Sequence, residues 1–98
     1  MNTDEIVGKL ASLRNTLQKE GVEHLALFGS RARGDHSESS DIDLLIDAAP
    51  SSRFSILNLV GVEHIVSDSV GLPANAFMRR NLDDAFRKSI REDIIQVF

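Results

Sequence analysis

Apolar residues at Ile6, Leu10, Leu13 and Leu17 recur at three- and four-residue spacing, which puts them on one face of a helix. Thr3 is placed to cap its start and Gly21 to end it. From Val22 to Phe28 the segment VEHLALF is short, rich in strand formers and apolar on both faces, as in a buried strand. The stretch that follows, GSRARGDHSESSD, has two glycines, four serines and no apolar period, which predicts a loop with at most one helical turn. DIDLLIDA then alternates sharply: Asp41, Asp43, Leu45 and Asp47 share one face, and Ile42, Leu44, Ile46 and Ala48 the other. Pro50, Ser51 and Ser52 break the chain before a helix-like segment containing Phe54, Leu57, Val60 and Ile65, interrupted by Gly61 and closed by Gly71. Pro73 to Met78 reads as a short third strand, and Leu82, Phe86, Ile90, Ile94 and Val97 mark a final amphipathic helix.

The expected order is therefore helix, strand, loop, strand, helix, strand, helix. That is an α+β fold, α-β-β-α-β-α, with a small mixed sheet and helices packed against it. No repeat, low-complexity tract or linker divides the chain, and 98 residues suit one domain spanning positions 1–98.

Composition narrows the chemistry more than the fold. No apolar run approaches the roughly 20 residues needed to span a bilayer, and Asp4, Glu5, Lys9, Arg14 and Glu20 are unlike a secretory leader. Cysteine is absent, which removes thiolate nucleophiles and zinc–thiolate sites and suits a cytoplasmic protein. A net charge of −4 speaks against a surface that wraps nucleic acid; a nucleotide or a protein partner fits better.

Against that background one constellation stands out: Gly29-Ser30 at the end of one strand, then Asp41-x-Asp43 at the start of the next. Triphosphate binding needs backbone N–H groups brought close and a hydroxyl donor, which Gly29 and Ser30 supply. Magnesium needs hard oxygen ligands, commonly one or two carboxylates completed by substrate phosphates, and Asp41 and Asp43 supply those. Two residues apart on a strand, the carboxylates stand about 7 Å apart along the backbone, close enough to share ions about 3.5 to 4 Å apart.

The segment GSRARGDHSESSDIDLLID, Gly29 to Asp47, resembles the nucleotidyltransferases of the DNA polymerase β superfamily. It is most similar to the minimal nucleotidyltransferase (MNT) proteins often paired with HEPN proteins in toxin–antitoxin systems. The resemblance implies the polymerase β-like nucleotidyltransferase fold and transfer of AMP from ATP with Mg²⁺, with Asp41 and Asp43 as catalytic and metal-holding residues. Similar proteins carry a third carboxylate on the third strand; here that segment reads Ala74-Asn75-Ala76-Phe77, so Asn75 stands in its place. An amide oxygen can coordinate weakly but cannot take the nucleophile's proton. Asp68, Asp83 and Asp84 are the substitutes if the third strand lies elsewhere.

Arg33, and less so Arg31, has a guanidinium fork suited to phosphate, although both lie among acidic neighbours. Asp47 shares the carboxylate face but sits near the strand end and is left out of the metal set. His24, His36 and His64 have no metal-ligand spacing. A Walker-type loop fails because Asp35-His36 stands where Lys and Ser/Thr are required, and an EF-hand fails at Leu44-Leu45-Ile46.

The expected function is that of an MNT-type antitoxin that transfers AMP to a HEPN partner, with Asp41 and Asp43 holding Mg²⁺ and Gly29, Ser30 and Arg33 holding ATP. The alternative is an impaired nucleotidyltransferase that neutralises its partner by contact alone. Modification of a small molecule such as an aminoglycoside normally uses an added substrate-binding domain, for which 98 residues leave no room. Contact with nucleic acid is expected only through a partner, tRNA being the case in view; self-association of the free protein is left open.

Overall fold

The N-terminal apolar stripe forms a helix in two pieces. In the computed structural model, which describes residues 1–51 and 53–98, α1 spans Thr3–Ser12 and α2 spans Arg14–Lys19. Leu13 joins them in a near-bridge conformation (φ −89°, ψ 2°), so the axis shifts while Ile6, Leu10 and Leu17 all stay buried. Asn2, rather than Thr3, caps α1: its side chain accepts from the Glu5 N–H at 2.8 Å, and Glu5 reaches back to the Asn2 N–H. Thr3 is instead the first helical residue, and its hydroxyl donates to the Arg31 carbonyl at 2.6 Å, tying α1 to the loop that follows the first strand.

That strand, β1 (Val22–Phe28), leads into a one-turn helix α3 (Ser30–Arg33) and then β2 (Ile42–Ala48). Helix α4 (Ile56–Val70) crosses to β3 (Ala74–Met78), which continues through a 3₁₀ turn (Arg79–Asn81) into α5 (Asp84–Ile90) and a two-residue strand β4 (Ile95–Gln96). The sheet order is β3-β2-β1-β4. β1 runs antiparallel to β2 and β4, and β2 runs parallel to β3, the α4 crossover making the parallel pair possible. Of the expected chain break at Pro50-Ser51-Ser52, Ser52 lies outside the described residues.

One sheet face carries Leu25, Leu27, Ile42, Leu44, Ile46 and Met78 against α1, α2 and α4, and this is the main core. The fully buried stripe of α4 is Val62, Val66 and Val70; of the apolar residues that marked the segment, Phe54, just ahead of the helix, and Ile65 pack partly buried against the core, whereas Val60 and Leu57 are exposed, Leu57 to 79 %. α4 is apolar over much of its circumference, so periodicity alone does not choose its inner face. The opposite sheet face packs Ala26, Phe28 and Leu45 against Ile90, with Phe28, Phe77 and Phe86 in a ring cluster whose centroids lie 5.6 to 6.0 Å apart. Strand alternation puts Asp41, Asp43, Asn75 and Asp47 on this second face.

The C-terminal segment departs from the expected long helix. α5 ends at Ile90, and Ile95 and Gln96 pair with Leu27 and Ala26. The free edge of β1 accepts this strand, with Leu25 exchanging backbone hydrogen bonds with Val97 and Phe98.

Candidate active site

The turn after β1 depends on a conformation that only glycine adopts readily. Gly29 has φ 78° and ψ −159°, and its carbonyl accepts from the Ala32 and Arg33 N–H groups at 3.1 and 3.0 Å, closing α3 as a single turn. The first N–H groups of such a turn have no partners within the helix and point outward at its start. A Cβ at Gly29 would lie 2.5 Å from the Asp43 Oδ2, so the missing side chain is also what lets that carboxylate rest against the turn. The register makes the contact direct, since Phe28 pairs with Asp43 and Gly29 follows.

Asp41 is exposed just ahead of β2, and Asp43 is partly buried within it. Burial pushes the Asp43 carboxyl above its ordinary range, and the negative charge of Asp41 adds to this; the Asn75 amide and the charge of Arg33 pull it back. In the parallel β2–β3 register Asp43 pairs with Asn75, which sets Asn75 on β3 beside the two aspartates. Its Nδ2 donates to Asp41 Oδ2 at 3.0 Å, so the amide bridges the two aspartates. Asp83 is used elsewhere, capping α5 through the Phe86 N–H at 2.7 Å, and Asp68 is exposed on α4.

The two arginines divide the work in a way that their spacing did not reveal. Arg31 is 2 % exposed. Its Nε and Nη2 donate to the Ser40 carbonyl at 3.1 and 3.0 Å, and Nη2 also donates to the Glu38 carbonyl at 3.2 Å. It thus staples the serine-rich loop so that Asp41 enters β2 in a fixed place. Arg33 is exposed, donating from Nε to Asp35 at 3.0 Å and from Nη1 to Asp93 at 2.9 Å, and it lies near enough to act on Asp43.

Asp47 is ion-paired with Arg79, whose Nε reaches both its oxygens at 3.0 and 3.2 Å. His24 sits 3.7 Å from Glu23 at the surface, and His36 keeps a buried Nδ1 without a partner among the described residues. The sequence reading missed the positioning role of Arg31 and a cluster of arginines after β3. The pair Arg79-Arg80 and the four-residue step from Arg87 to Arg91 are the signals that could have found the latter.

The oxygen-bearing set suits a hard divalent cation: two carboxylates on one face, one of them burdened by its neighbour's charge, with an amide alongside. Among the described residues no three acidic, histidine or cysteine side chains converge. No described helix is long and apolar enough to cross a membrane.

Comparison with known proteins agrees with this geometry. The chain is 36% identical over 81 residues to a candidate protein adenylyltransferase of Methanocaldococcus jannaschii, covering 82% of this chain and 81% of that protein. It is 26% identical over 98 residues to the protein adenylyltransferase MntA of Thermococcus cleftensis, covering 99% and 97%. Among solved structures it is similar to a candidate minimal nucleotidyltransferase (TM-score 0.80, 21% identity, 97% of this chain and 95% of that one). It is also similar to a chain of a toxin–antitoxin structure with AMP-PNP (TM-score 0.71, 14% identity, 90% and 72%). These two likenesses speak for the fold. Residues 10–97 match the family model of the nucleotidyltransferase domain, and with the glycine turn and the paired aspartates inside that span, the chain belongs to the nucleotidyltransferase domain family.

Proposed function

We propose that residues 1–98 act as a single minimal nucleotidyltransferase domain that binds Mg-ATP and transfers AMP to a hydroxyl of a HEPN-type protein, as its antitoxin. The observation that carries this reading is the fit of the Asp43 carboxylate against Gly29, with Asp41 beside it. Support for a protein acceptor comes from relatives named as protein adenylyltransferases, and support for a toxin partner from the toxin–antitoxin structural neighbour.

The Gly29-Ser30 turn would hold the phosphates through backbone N–H groups and the Ser30 hydroxyl. Asp41 and Asp43 would hold Mg²⁺, which when bound screens the triphosphate charge and favours in-line attack at the α-phosphorus. The acceptor oxygen forms the new bond to the α-phosphorus, the bond from that phosphorus to the bridging oxygen breaks, and pyrophosphate leaves with the electron pair. The hydroxyl proton needs a base, and the two aspartates are the bases this part of the face offers, because Asn75 has none. Arg33 would join the phosphates by exchanging its carboxylate partners for them.

A second reading rests on Asn75 itself. With an amide where a third carboxylate would stand, held to Asp41 at 3.0 Å, the fold would neutralise its partner by contact alone. The two separate on transfer of α-labelled ATP to the co-expressed partner. Catalysis predicts that Asp41→Ala and Asp43→Ala each cut transfer by about 100-fold or more and abolish neutralisation. Full neutralisation by both variants would overturn the enzymatic reading and leave the binding one.

A further inference from the structure

The sheet face that carries Asp43 continues along β2 through Leu45 to Asp47. Beside those two residues the 3₁₀ turn, α5 and the residues after it enclose a cavity of about 360 Å³. Its floor is apolar, formed by Leu45, Leu82, Ile90 and Ile94. Its rim is cationic, formed by Arg79, Arg80, Arg87 and Arg91. Among the described residues Asp47 is the only carboxylate lining it, so four guanidinium groups face one acid, an excess of three positive charges in a chain whose net charge is −4.

The rim is built rather than incidental. Asp47 fixes Arg79 by accepting its Nε at 3.0 Å, and the Arg79 carbonyl in turn accepts from Arg87 Nη2 at 2.9 Å. That chain of contacts sets two guanidinium groups in place, while Arg80 and Arg91 are exposed beside them. Asp83, at the start of α5, is turned to the helix backbone as its cap.

From this geometry we propose that the cavity docks an acidic segment of the protein acceptor, an apolar side chain entering the floor and flanking carboxylates meeting the arginines. The inference rests on the protein-acceptor reading above. Its position supports that occupant: Leu45 and Asp47 lie about 7 and 13 Å beyond Asp43 along the strand, which an extended peptide covers in about two to four residues. The arrangement of planar guanidinium forks around an apolar pocket suits carboxylates that flank an apolar side chain on a short peptide.

The test uses a fluorescent peptide of alternating Glu residues with one Leu and one Tyr, a matched peptide with Lys for Glu, and a single-stranded RNA of equal length. Anisotropy titrations compare the full chain with the double variant Arg80→Gln/Arg91→Gln, whose exposed positions keep the fold. The expected result is binding of the acidic peptide by the unaltered chain, about tenfold weaker in the double variant, with no binding of the Lys peptide. Mg-ATP affinity, measured by calorimetry on both proteins, is expected to stay within about twofold. Equal peptide affinity in the two proteins, no peptide binding by either, or a preference for RNA would overturn the proposal. Peptide binding that depends on Arg80 and Arg91 without any Mg-ATP binding would uphold the docking surface while removing the nucleotidyl-transfer reading.

Discussion

Replacing Gly29 by alanine tests the geometry of the site most directly, because the structure assigns that glycine two separable jobs. Its backbone, at φ 78° and ψ −159°, lies in a region essentially reserved for glycine, and forcing another residue there costs on the order of 1–3 kcal/mol. Its missing side chain also leaves room for Asp43, since an added Cβ would sit 2.5 Å from Oδ2. Gly34 separates the two effects. It too has a positive φ, 84°, but a Cβ there meets nothing nearer than the Thr3 hydroxyl at 4.0 Å. Gly34→Ala should therefore cost about 1–2 kcal/mol of stability in urea unfolding and leave Mg-ATP affinity within about twofold. Gly29→Ala should cost a similar amount and also displace the carboxylate, weakening Mg-ATP binding by about tenfold or more, or 1.4 kcal/mol, in calorimetric titration. Nucleotide affinity retained in Gly29→Ala, on a protein shown to be folded, would refute the claim that the turn and Asp43 form one site.

Asp43→Asn should raise the urea midpoint at neutral pH. A carboxyl whose folded pKa is raised stabilises the fold below its unfolded pKa and loses that contribution as pH rises through the folded value, so the advantage of the variant should vanish below the ordinary carboxylate range. Arg31→Lys should destabilise by about 1–3 kcal/mol, because an ammonium cannot reproduce the forked contacts to Ser40 and Glu38; a stability equal to that of the unaltered chain would show that the staple is dispensable. Asn75→Asp should lower the thermal midpoint without Mg²⁺ and restore more than the loss with it, since three acids then share one face; a metal response no larger than that of the unaltered chain would argue against a shared site. Leu57→Glu should change stability by no more than about 0.5 kcal/mol while Leu44→Ala costs about 2–5, because the first is exposed and the second fully buried in the sheet.

The strands and the spacing of Gly29, Asp41 and Asp43 were legible because each is a local signal: alternation, a turn glycine, and two acids on one side of a strand. The position of Asn75 could be read only as a pattern until the parallel register placed it beside Asp43. What could not be read depends on surroundings. Ile94 and Val97 fit a helical stripe, yet a free edge of β1 draws Ile95 and Gln96 into a strand. α4 is apolar over much of its circumference, and only the sheet beneath selects Val62, Val66 and Val70. Arg31 and Arg33 look alike in sequence, and only the fold shows that α3 turns Arg31 into the loop and Arg33 toward solvent.

The antiparallel pairing of β1 with β2 also bears on how the molecule assembles. Gly29, Ser30, Asp41 and Asp43 all lie within one strand–turn–strand unit, with Phe28 and Asp43 paired across it. Closing that loop costs little chain entropy compared with bringing β3 alongside through the α4 crossover or β4 back from the C-terminus. We therefore expect the unit to be formed early, so that substitutions at Leu27 or Leu44 slow refolding whereas those at Met78 or Ile95 mainly speed unfolding, as a chevron analysis would read out. Uniformly low φ-values at Leu27 and Leu44 would dismiss this order of events. On this order the geometry of the candidate site is an early product of folding, and Asn75 joins it later.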